Sequence, residues 1–191
     1  MTSTRATLRA ELRARRAALR PGERLAAADA VARHLGERPE LREPGYVGGY
    51  WAVNGELPLH AVQLRLAPGQ VWCLPVTTTD GNLRFAPWRP GDALVPNRYG
   101  IPEPVADATL APAEMGLVLV PLLGFSAEGH RLGMGGGYYD RAFAFRRDRG
   151  APPRLVGVGY ACQQVAGLAA EAWDVPLDAV ATEQGFLAFG R

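Results

Sequence analysis

Apolar residues recur at helical spacing at the start of the chain. Leu8, Leu12 and Leu19 share one face of a predicted helix over residues 4 to 20. A Pro-Gly pair then interrupts the pattern, and a second amphipathic helix follows until Gly36 ends it. We expect the second helix to serve packing only.

Short runs of apolar and β-branched residues predict the strands of a sheet. These runs are residues 46–53, 71–76, 83–88, 117–120, 155–160 and 180–189. Helices are predicted from Pro58 onward and over residues 138–147, between the strands. Because strands and helices alternate, we expect an α/β fold, a three-layer α/β/α domain with a mainly parallel, twisted sheet. Ligands should then lie at the carboxyl ends of the strands, and the strands of residues 71–88 should form one mixed edge.

Residues 87–112 are rich in proline and show little periodicity, so they cannot form one regular element. They are either a linker or an ordered active-site loop. Because predicted strands flank this segment on both sides, we expect the ordered loop.

Composition limits the class of protein. A chain of 191 residues with 48% hydrophobic and 21% charged residues predicts one globular domain over residues 1–191. Cys73 and Cys162 have no partner at metal-ligand spacing, so we expect two buried free thiols and a reducing compartment. The chain has neither a signal-type segment nor an apolar run of about 18 residues, which predicts a cytoplasmic protein without a membrane span.

Charge gives little indication of a macromolecular partner. All 21 basic residues are arginine, and the net charge is +2 at pH 7. Six of these arginines cluster on the first helix, where Glu11 is the one acidic residue: Arg5, Arg9, Arg13, Arg15, Arg16 and Arg20. Such a face is either solvated surface or a binding surface for an anion.

A glycine-rich loop follows the buried strand of residues 117–120. Four glycines, at positions 133 and 135–137, stand between Arg131 and Asp140. Glycines let backbone N–H groups face an anion, although a run of this kind is also common in purely structural turns. The flanking guanidinium suits phosphate oxygens, and the carboxylate suits a divalent cation. We therefore expect a nucleotide with Mg²⁺ at this loop.

The run GFSAEGHRLGMGGGYYDR, residues 124–141, resembles the signature of the 5-formyltetrahydrofolate cyclo-ligase family. The resemblance continues at Leu8-Arg9, Glu56, residues 99–104, Gln163-Gln164 and residues 174–178, nearly the whole chain. It implies ATP- and Mg²⁺-dependent cyclisation of 5-formyltetrahydrofolate to 5,10-methenyltetrahydrofolate, with release of ADP and phosphate. In the family's route the γ-phosphoryl of ATP is transferred to the formyl oxygen, and N10 then closes the ring as phosphate leaves.

The resemblance also implies roles for individual residues. Catalytic roles fall on Arg131 and Tyr138, and metal binding falls on Asp140 and Asp174. The implied ATP-binding residues are Arg5, Ala6, Thr7, Leu8, Arg9, Arg131, Leu132, Gly133, Met134, Gly135, Gly136, Gly137, Tyr138 and Tyr139. The implied substrate-binding residues are Arg9, Trp51, Glu56, Met134, Gly135, Gly136, Gly137 and Tyr138.

Several alternatives remain open. Arg13, Arg15, Arg16 and Arg20 are expected to be surface residues and Asp178 is expected to be structural, whereas His130 is expected to pack in the loop or to face solvent without a catalytic role. Another phosphate-ligand enzyme, such as a sugar-phosphate isomerase, would need a positioned base. A nucleic-acid-binding module would need aromatic residues among the arginines, and residues 1–20 contain none. We expect small-molecule substrates, neither nucleic acid nor membrane as a partner, and a monomer.

Overall fold

Eleven short strands appear in the computed structural model, which describes residues 4–190. They are β1 (Gly45–Gly48), β2 (Gln70–Thr77), β3 (Leu83–Pro87), β4 (Leu94–Pro96), β5 (Pro102–Pro104), β6 (Leu117–Pro121), β7 (Gly124–Phe125), β8 (Arg131–Leu132), β9 (Arg154–Val158), β10 (Ala179–Thr182) and β11 (Gly185–Ala188). Seven of them form one sheet in the order β11-β10-β9-β6-β1-β2-β3. The pairs from β2 to β10 across the centre are parallel, and both edge strands are antiparallel. The predicted α/β fold is thus confirmed, as is the mixed edge formed by β2 and β3.

The end of the chain differs from the prediction. Residues 180–189 were expected to form one strand, but the chain reverses after Thr182 and returns as β11. Gly185 allows this reversal because its φ of +154° is rarely adopted by residues with a side chain. The sheet therefore has a second antiparallel edge that the apolar pattern did not reveal.

Four α-helices connect and cover the sheet. They are α1 (Arg5–Ala17), α2 (Pro21–Gly36), α3 (His60–Gln63) and α4 (Tyr138–Ala142). The Thr4 hydroxyl caps α1 by accepting the Thr7 N–H at 3.3 Å. The helix predicted over residues 138–147 is wrong in length, because the chain tightens into a 3₁₀ turn at residues 144–147. There Arg146 donates to the Pro153 carbonyl at 2.8 Å and to both Asp178 oxygens at 2.8 Å, which ties the turn to the sheet.

Alternate residues of β6 point to opposite sides of the sheet. Leu117 and Leu119 enter a core that α2 and α3 cover, whereas Val118 and Val120 enter a core that the α4 region covers. Layers on both faces agree with the predicted three-layer arrangement. A third, smaller cluster holds α1 against the loop region, and it consists of Leu12, Leu123, Leu132 and Leu168.

The proline-rich segment is ordered, as expected for an active-site loop and not for a linker. It contains the antiparallel pair β4 and β5, whose connecting loop is held by Asn97. The Asn97 side-chain oxygen accepts the N–H groups of Tyr99 at 2.8 Å and Ile101 at 3.0 Å.

Both cysteines are free. Cys73 is buried, which raises the pKa of its thiol to about 12, whereas Cys162 is half-buried and not fully buried as predicted. Within residues 4–190 we find no helix of the length and apolarity needed to cross a bilayer.

Candidate functional site

The candidate site residues lie on three segments that follow the carboxyl ends of central parallel strands. The segment after β1 contains Glu56, the segment after β6 contains the glycine loop, and the segment after β9 leads to Asp174. The amino-terminal turns of α1 pack against the second and third of these segments. The location agrees with the general rule for ligand sites in open α/β sheets.

The glycine loop begins where β8 ends. Gly135 and Gly137 have φ angles of +104° and +66°, which residues with a Cβ rarely adopt. A Cβ on Gly135 would lie 3.7 Å from the Arg9 guanidinium, an ordinary contact. The requirement for glycine at position 135 is therefore conformational, because no protein atom crowds this part of the loop surface.

Arg131 lies beneath this loop and is only 9% exposed. Its guanidinium forms an ion pair with Asp140 and lies 5.9 Å from the centre of the Tyr139 ring. A Cβ on Gly133 would lie 3.3 Å from Arg131 Nη1, so the guanidinium approaches the loop backbone closely. Arg131 thus brings a positive charge to the loop, although Asp140 already balances part of that charge.

The two predicted metal-binding residues lie on neighbouring segments. Asp140 Oδ1 accepts the Val175 N–H at 3.1 Å, which places Asp140 next to the residue that follows Asp174. Asp174 Oδ2 accepts from Arg5 at 2.5 Å. Among residues 4–190, Asp140 Oδ2 and Asp174 Oδ1 receive no hydrogen bond, and no group of three His, Cys, Asp or Glu side chains could hold a metal.

This donor set fits Mg²⁺ more closely than a metal that requires a full protein cage. Magnesium is commonly bound through one or two carboxylates, with water and substrate phosphates completing its coordination. Asp140 and Asp174 supply two hard oxygen donors from distant parts of the chain. Their arginine partners would share these carboxylates with the ion.

The first helix brings two of its arginines to the site. Arg9 Nε donates to the Gly133 carbonyl at 2.9 Å, and Arg5 donates to the Ala169 carbonyl at 3.0 Å as well as to Asp174. Leu8 packs beside Leu132 in the small cluster. Of the other predicted ATP-binding positions on this helix, Ala6 and Thr7 are exposed.

Tyr138 is surrounded by groups from the proline-rich segment. Its hydroxyl is bonded to the Arg98 guanidinium and lies 2.8 Å from the Tyr99 hydroxyl. The hydrogen bond with Tyr99, followed by that from Arg98, lowers the pKa of Tyr138 below the usual tyrosine value. The Arg141 guanidinium lies 5.0 Å from the centre of the Tyr138 ring. Arg98 was not predicted from the sequence, because nothing local indicates that it reaches a residue 40 positions away.

Glu56 and Trp51 lie on the segment after β1. Glu56 Oε2 accepts the Val53 N–H at 3.0 Å, and burial raises the pKa of the Glu56 carboxyl. Burial, and secondly the charge of Glu56, raises the pKa of Tyr139, the second residue after the glycine loop. Trp51 is 38% exposed and packs edge-on against Trp88, with 5.9 Å between ring centres.

The structure corrects the prediction for Arg16. We expected a surface arginine, but Arg16 is 2% exposed and its Nη2 donates to the Asn54 carbonyl at 2.8 Å. The reason is geometric, since position 16 lies on the same helix face as the partly buried Leu8 and the buried Leu12, at a spacing of four. That spacing is a sequence signal that could have identified it.

Two other predictions concern structural residues. Asp178 accepts from Arg146 and from the Leu155 N–H at 2.7 Å, which agrees with a structural role. His130 Nδ1 lies 2.9 Å from the Leu168 carbonyl, which agrees with loop packing.

Known proteins resemble this chain over nearly its whole length. The family model described as the 5-formyltetrahydrofolate cyclo-ligase family matches residues 1–183. A 5-formyltetrahydrofolate cyclo-ligase of Haemophilus influenzae is 34% identical over 181 residues, which cover 92% of this chain and 96% of the relative. The Escherichia coli K12 enzyme of that name is 35% identical over 177 residues, covering 90% and 96% respectively.

Solved structures show the same fold. The NMR structure of Aquifex aeolicus 5,10-methenyltetrahydrofolate synthetase has a TM-score of 0.82 and 29% identity, and the alignment covers 98% of this chain and 94% of that one. A 5,10-methenyltetrahydrofolate synthetase from Mycoplasma pneumoniae has a TM-score of 0.72 at 21% identity, with 95% and 99% covered. At that identity the second likeness concerns the fold alone.

Proposed function

The chain belongs to the 5-formyltetrahydrofolate cyclo-ligase family and is a ligase with that cyclo-ligase activity, and from this premise we propose its co-substrate, metal and products. ATP is the co-substrate and Mg²⁺ is the metal. The reaction converts 5-formyltetrahydrofolate into 5,10-methenyltetrahydrofolate, ADP and phosphate. The cytoplasmic location and the monomeric state belong to the same proposal.

The observation that carries this proposal is the conformation of the glycine loop between two arginines. Gly135 and Gly137 have positive φ angles, and the loop is approached by Arg9 from α1 and by Arg131 from β8. Such a loop can present N–H groups to phosphate oxygens, and nearby guanidinium groups offset phosphate charge.

The reaction needs positioning more than a protein nucleophile. The formyl oxygen attacks the γ-phosphorus of ATP, the bond from that phosphorus to the ADP oxygen breaks, and ADP leaves. N10 then attacks the activated formyl carbon and loses its proton to solvent or to the departing phosphate. The carbon–oxygen bond breaks, and phosphate leaves with the former formyl oxygen. Arg131 and the loop backbone stabilise the charge on the transferred group, and Arg9 fixes the loop through the Gly133 carbonyl.

Tyr138 directly follows the last glycine of the same loop. Its hydroxyl is held by Arg98 and Tyr99, so it can donate to or accept from a ligand oxygen without changing its position. A phenol with a lowered pKa is also a better proton donor to the leaving oxygen.

Magnesium would be held by Asp140 and Asp174 through the carboxylate oxygens that receive no hydrogen bond from residues 4–190. When bound, it supplies positive charge to the phosphate oxygens during transfer. Arg5 and Arg131 keep the two carboxylates in place by binding the other oxygens.

The folate would lie between Glu56, Trp51 and the glycine loop. A pterin ring carries N–H donors, for which the partly buried Glu56 carboxylate is a complementary acceptor, and an indole can contact the ring face. The alternatives have less support. A nucleic-acid-binding surface would need aromatic residues among the arginines, and α1 contains none.

A spectrophotometric assay tests the proposal. Purified protein, 5-formyltetrahydrofolate, ATP and MgCl₂ are mixed near neutral pH, and the near-ultraviolet absorbance of the methenyl product is followed. ADP and phosphate should appear in amounts equal to the product, and omission of ATP or addition of a chelator should stop the reaction. Product formation without ATP hydrolysis would contradict the proposed co-substrate.

A further inference from the structure

Arg16 is buried in an unusual way for a structural arginine. Its Nη2 binds the Asn54 carbonyl, but its Nη1 is buried and has no hydrogen-bond partner among residues 4–190. Arg146, which is 3% exposed, provides the comparison because its Nε, Nη1 and Nη2 all donate to protein oxygens. An arginine that served only to join two segments would be expected to use its donors in the way that Arg146 does.

The segment that Arg16 holds is the turn that presents Glu56. Asn54 and Gly55 have φ angles of +51° and +77°, and the Glu56 N–H closes the turn on the Val53 carbonyl at 3.0 Å. Arg24 of α2 supports the same turn, since a Cβ on Gly55 would lie 2.8 Å from Arg24 Nη1. The position of the Glu56 carboxylate therefore depends on contacts from α1 and α2.

Charge links Arg16 to Glu56 as well. The titratable groups that interact electrostatically with Glu56 are Arg16 from α1, Tyr50 after β1 and Tyr139 of α4, and Arg24 lies beside the turn. Burial raises the pKa of Glu56, and the Val53 N–H and then the charge of Arg16 oppose this rise. Burial also lowers the pKa of Arg16, and the charge of Glu56 is the largest opposing influence.

We propose that Arg16 is a positioning residue for folate binding: it fixes the Asn54-Gly55 turn and supplies a positive charge that favours the carboxylate form of the partly buried Glu56. This inference rests on the proposed function, in which Glu56 accepts the N–H donors of the pterin. It assigns a role in substrate recognition to a residue whose own guanidinium does not contact the substrate.

Two substitutions separate charge from hydrogen bonding. Arg16→Gln keeps a donor for the Asn54 carbonyl and removes the charge, whereas Arg16→Lys keeps the charge. Without the positive charge at position 16 the pKa of Glu56 rises, so on acidification Glu56 becomes protonated at a higher pH than in the wild type. The acid limb of kcat/KM for 5-formyltetrahydrofolate should move up by about one pH unit in Arg16→Gln and stay near wild type in Arg16→Lys. The KM for ATP should not change, and Arg13→Gln on the exposed face of the same helix is the matched control.

Stability provides a second readout that does not depend on activity. Because the pKa of Glu56 is raised in the folded state, its ionised form lowers stability at neutral pH, and this cost disappears as pH falls through the folded pKa. In a double-mutant cycle, Glu56→Gln should therefore stabilise the Arg16→Gln background more than the wild type at about pH 8, and this coupling should vanish near about pH 4. If Arg16→Gln alone does not fold, recovery of folding in the Arg16→Gln/Glu56→Gln double variant would support the charge link, and failure of both would overturn it.

The outcomes distinguish a failure of the Arg16 role from a failure of the proposed reaction. An unchanged acid limb in Arg16→Gln, or absent coupling at alkaline pH, overturns the role of Arg16 while leaving the proposed reaction intact. An unchanged KM for 5-formyltetrahydrofolate in Glu56→Gln overturns the folate contact of Glu56, and the positioning role of Arg16 fails with it. Absence of cyclisation by the wild-type protein would overturn the proposed function itself.

Discussion

Replacement of Gly135 by alanine tests whether the glycine loop is a ligand surface. The substitution places a Cβ on a backbone with φ +104°, and the nearest protein atoms would be those of the Arg9 guanidinium at 3.7 Å. No steric clash with the protein is expected, so the cost to stability is conformational strain, about 1–3 kcal/mol. For a domain of this size that strain corresponds to a decrease in Tm of about 2–12 °C.

The effect on activity should be separate from this strain. A Cβ at the loop surface would displace a bound phosphate group or disturb the N–H groups that bind it. Loss of one hydrogen bond to a charged group costs about 1.5–3 kcal/mol. We therefore expect kcat/KM for ATP to fall about 10- to 150-fold in Gly135→Ala.

Gly91 offers a matched control. Its φ of +102° is nearly that of Gly135, and a Cβ there would meet no atom within 4 Å. Gly91→Ala should lose a similar amount of stability and keep wild-type kinetics. Tm is measured by circular dichroism and kcat/KM by the methenyl assay on the same preparations. Wild-type ATP kinetics in a folded Gly135→Ala protein would refute the phosphate-binding interpretation of the loop.

Three further predictions concern the metal, the first helix and the phenol. Asp140→Asn should lower turnover and raise the Mg²⁺ concentration needed for half-maximal rate, because a hard anionic ligand is lost; an unchanged Mg²⁺ titration would argue against the metal role. Arg9→Ala should weaken ATP binding about 10- to 150-fold, as measured by calorimetry, whereas Arg13→Ala should have almost no effect. Equal ATP affinities of the two variants would show that Arg9 is an ordinary surface residue and does not bind ATP. An alkaline absorbance titration should show one tyrosine ionising below the usual pKa of about 10. Tyr138→Phe should remove this low-pH transition, and Arg98→Ala should shift it to higher pH. A transition that persists in Tyr138→Phe would contradict the assignment to Tyr138.

Local signals in the sequence predicted the central sheet and the glycine loop. Buried parallel strands such as β6 are continuous apolar runs, and the glycines needed at positive φ lie together in five residues. Both features depend on neighbouring residues, so they can be identified without knowledge of the fold.

Long-range pairing could not be predicted in the same way. Arg5 meets Asp174 across 169 positions, and nothing near either residue indicates that the other neutralises it. The shortening of α4 also has a distant cause, because the bonds of Arg146 to Asp178 favour a 3₁₀ turn over the helix that local propensity predicts. For these residues tertiary contacts override the local pattern.

The packing of α1 implies that the enzyme can lose its site before it loses its fold. Its buried Leu12 belongs to a small cluster that is separate from the two cores on the faces of the sheet. Segments held by few apolar contacts open locally at a free energy below that of global unfolding. Opening of α1 would withdraw Arg5 and Arg9 together and leave the seven-stranded sheet in place. We therefore expect heat to abolish activity at a temperature where the sheet is still folded, and amide hydrogens of α1 to exchange faster than those of β6 unless ATP is bound.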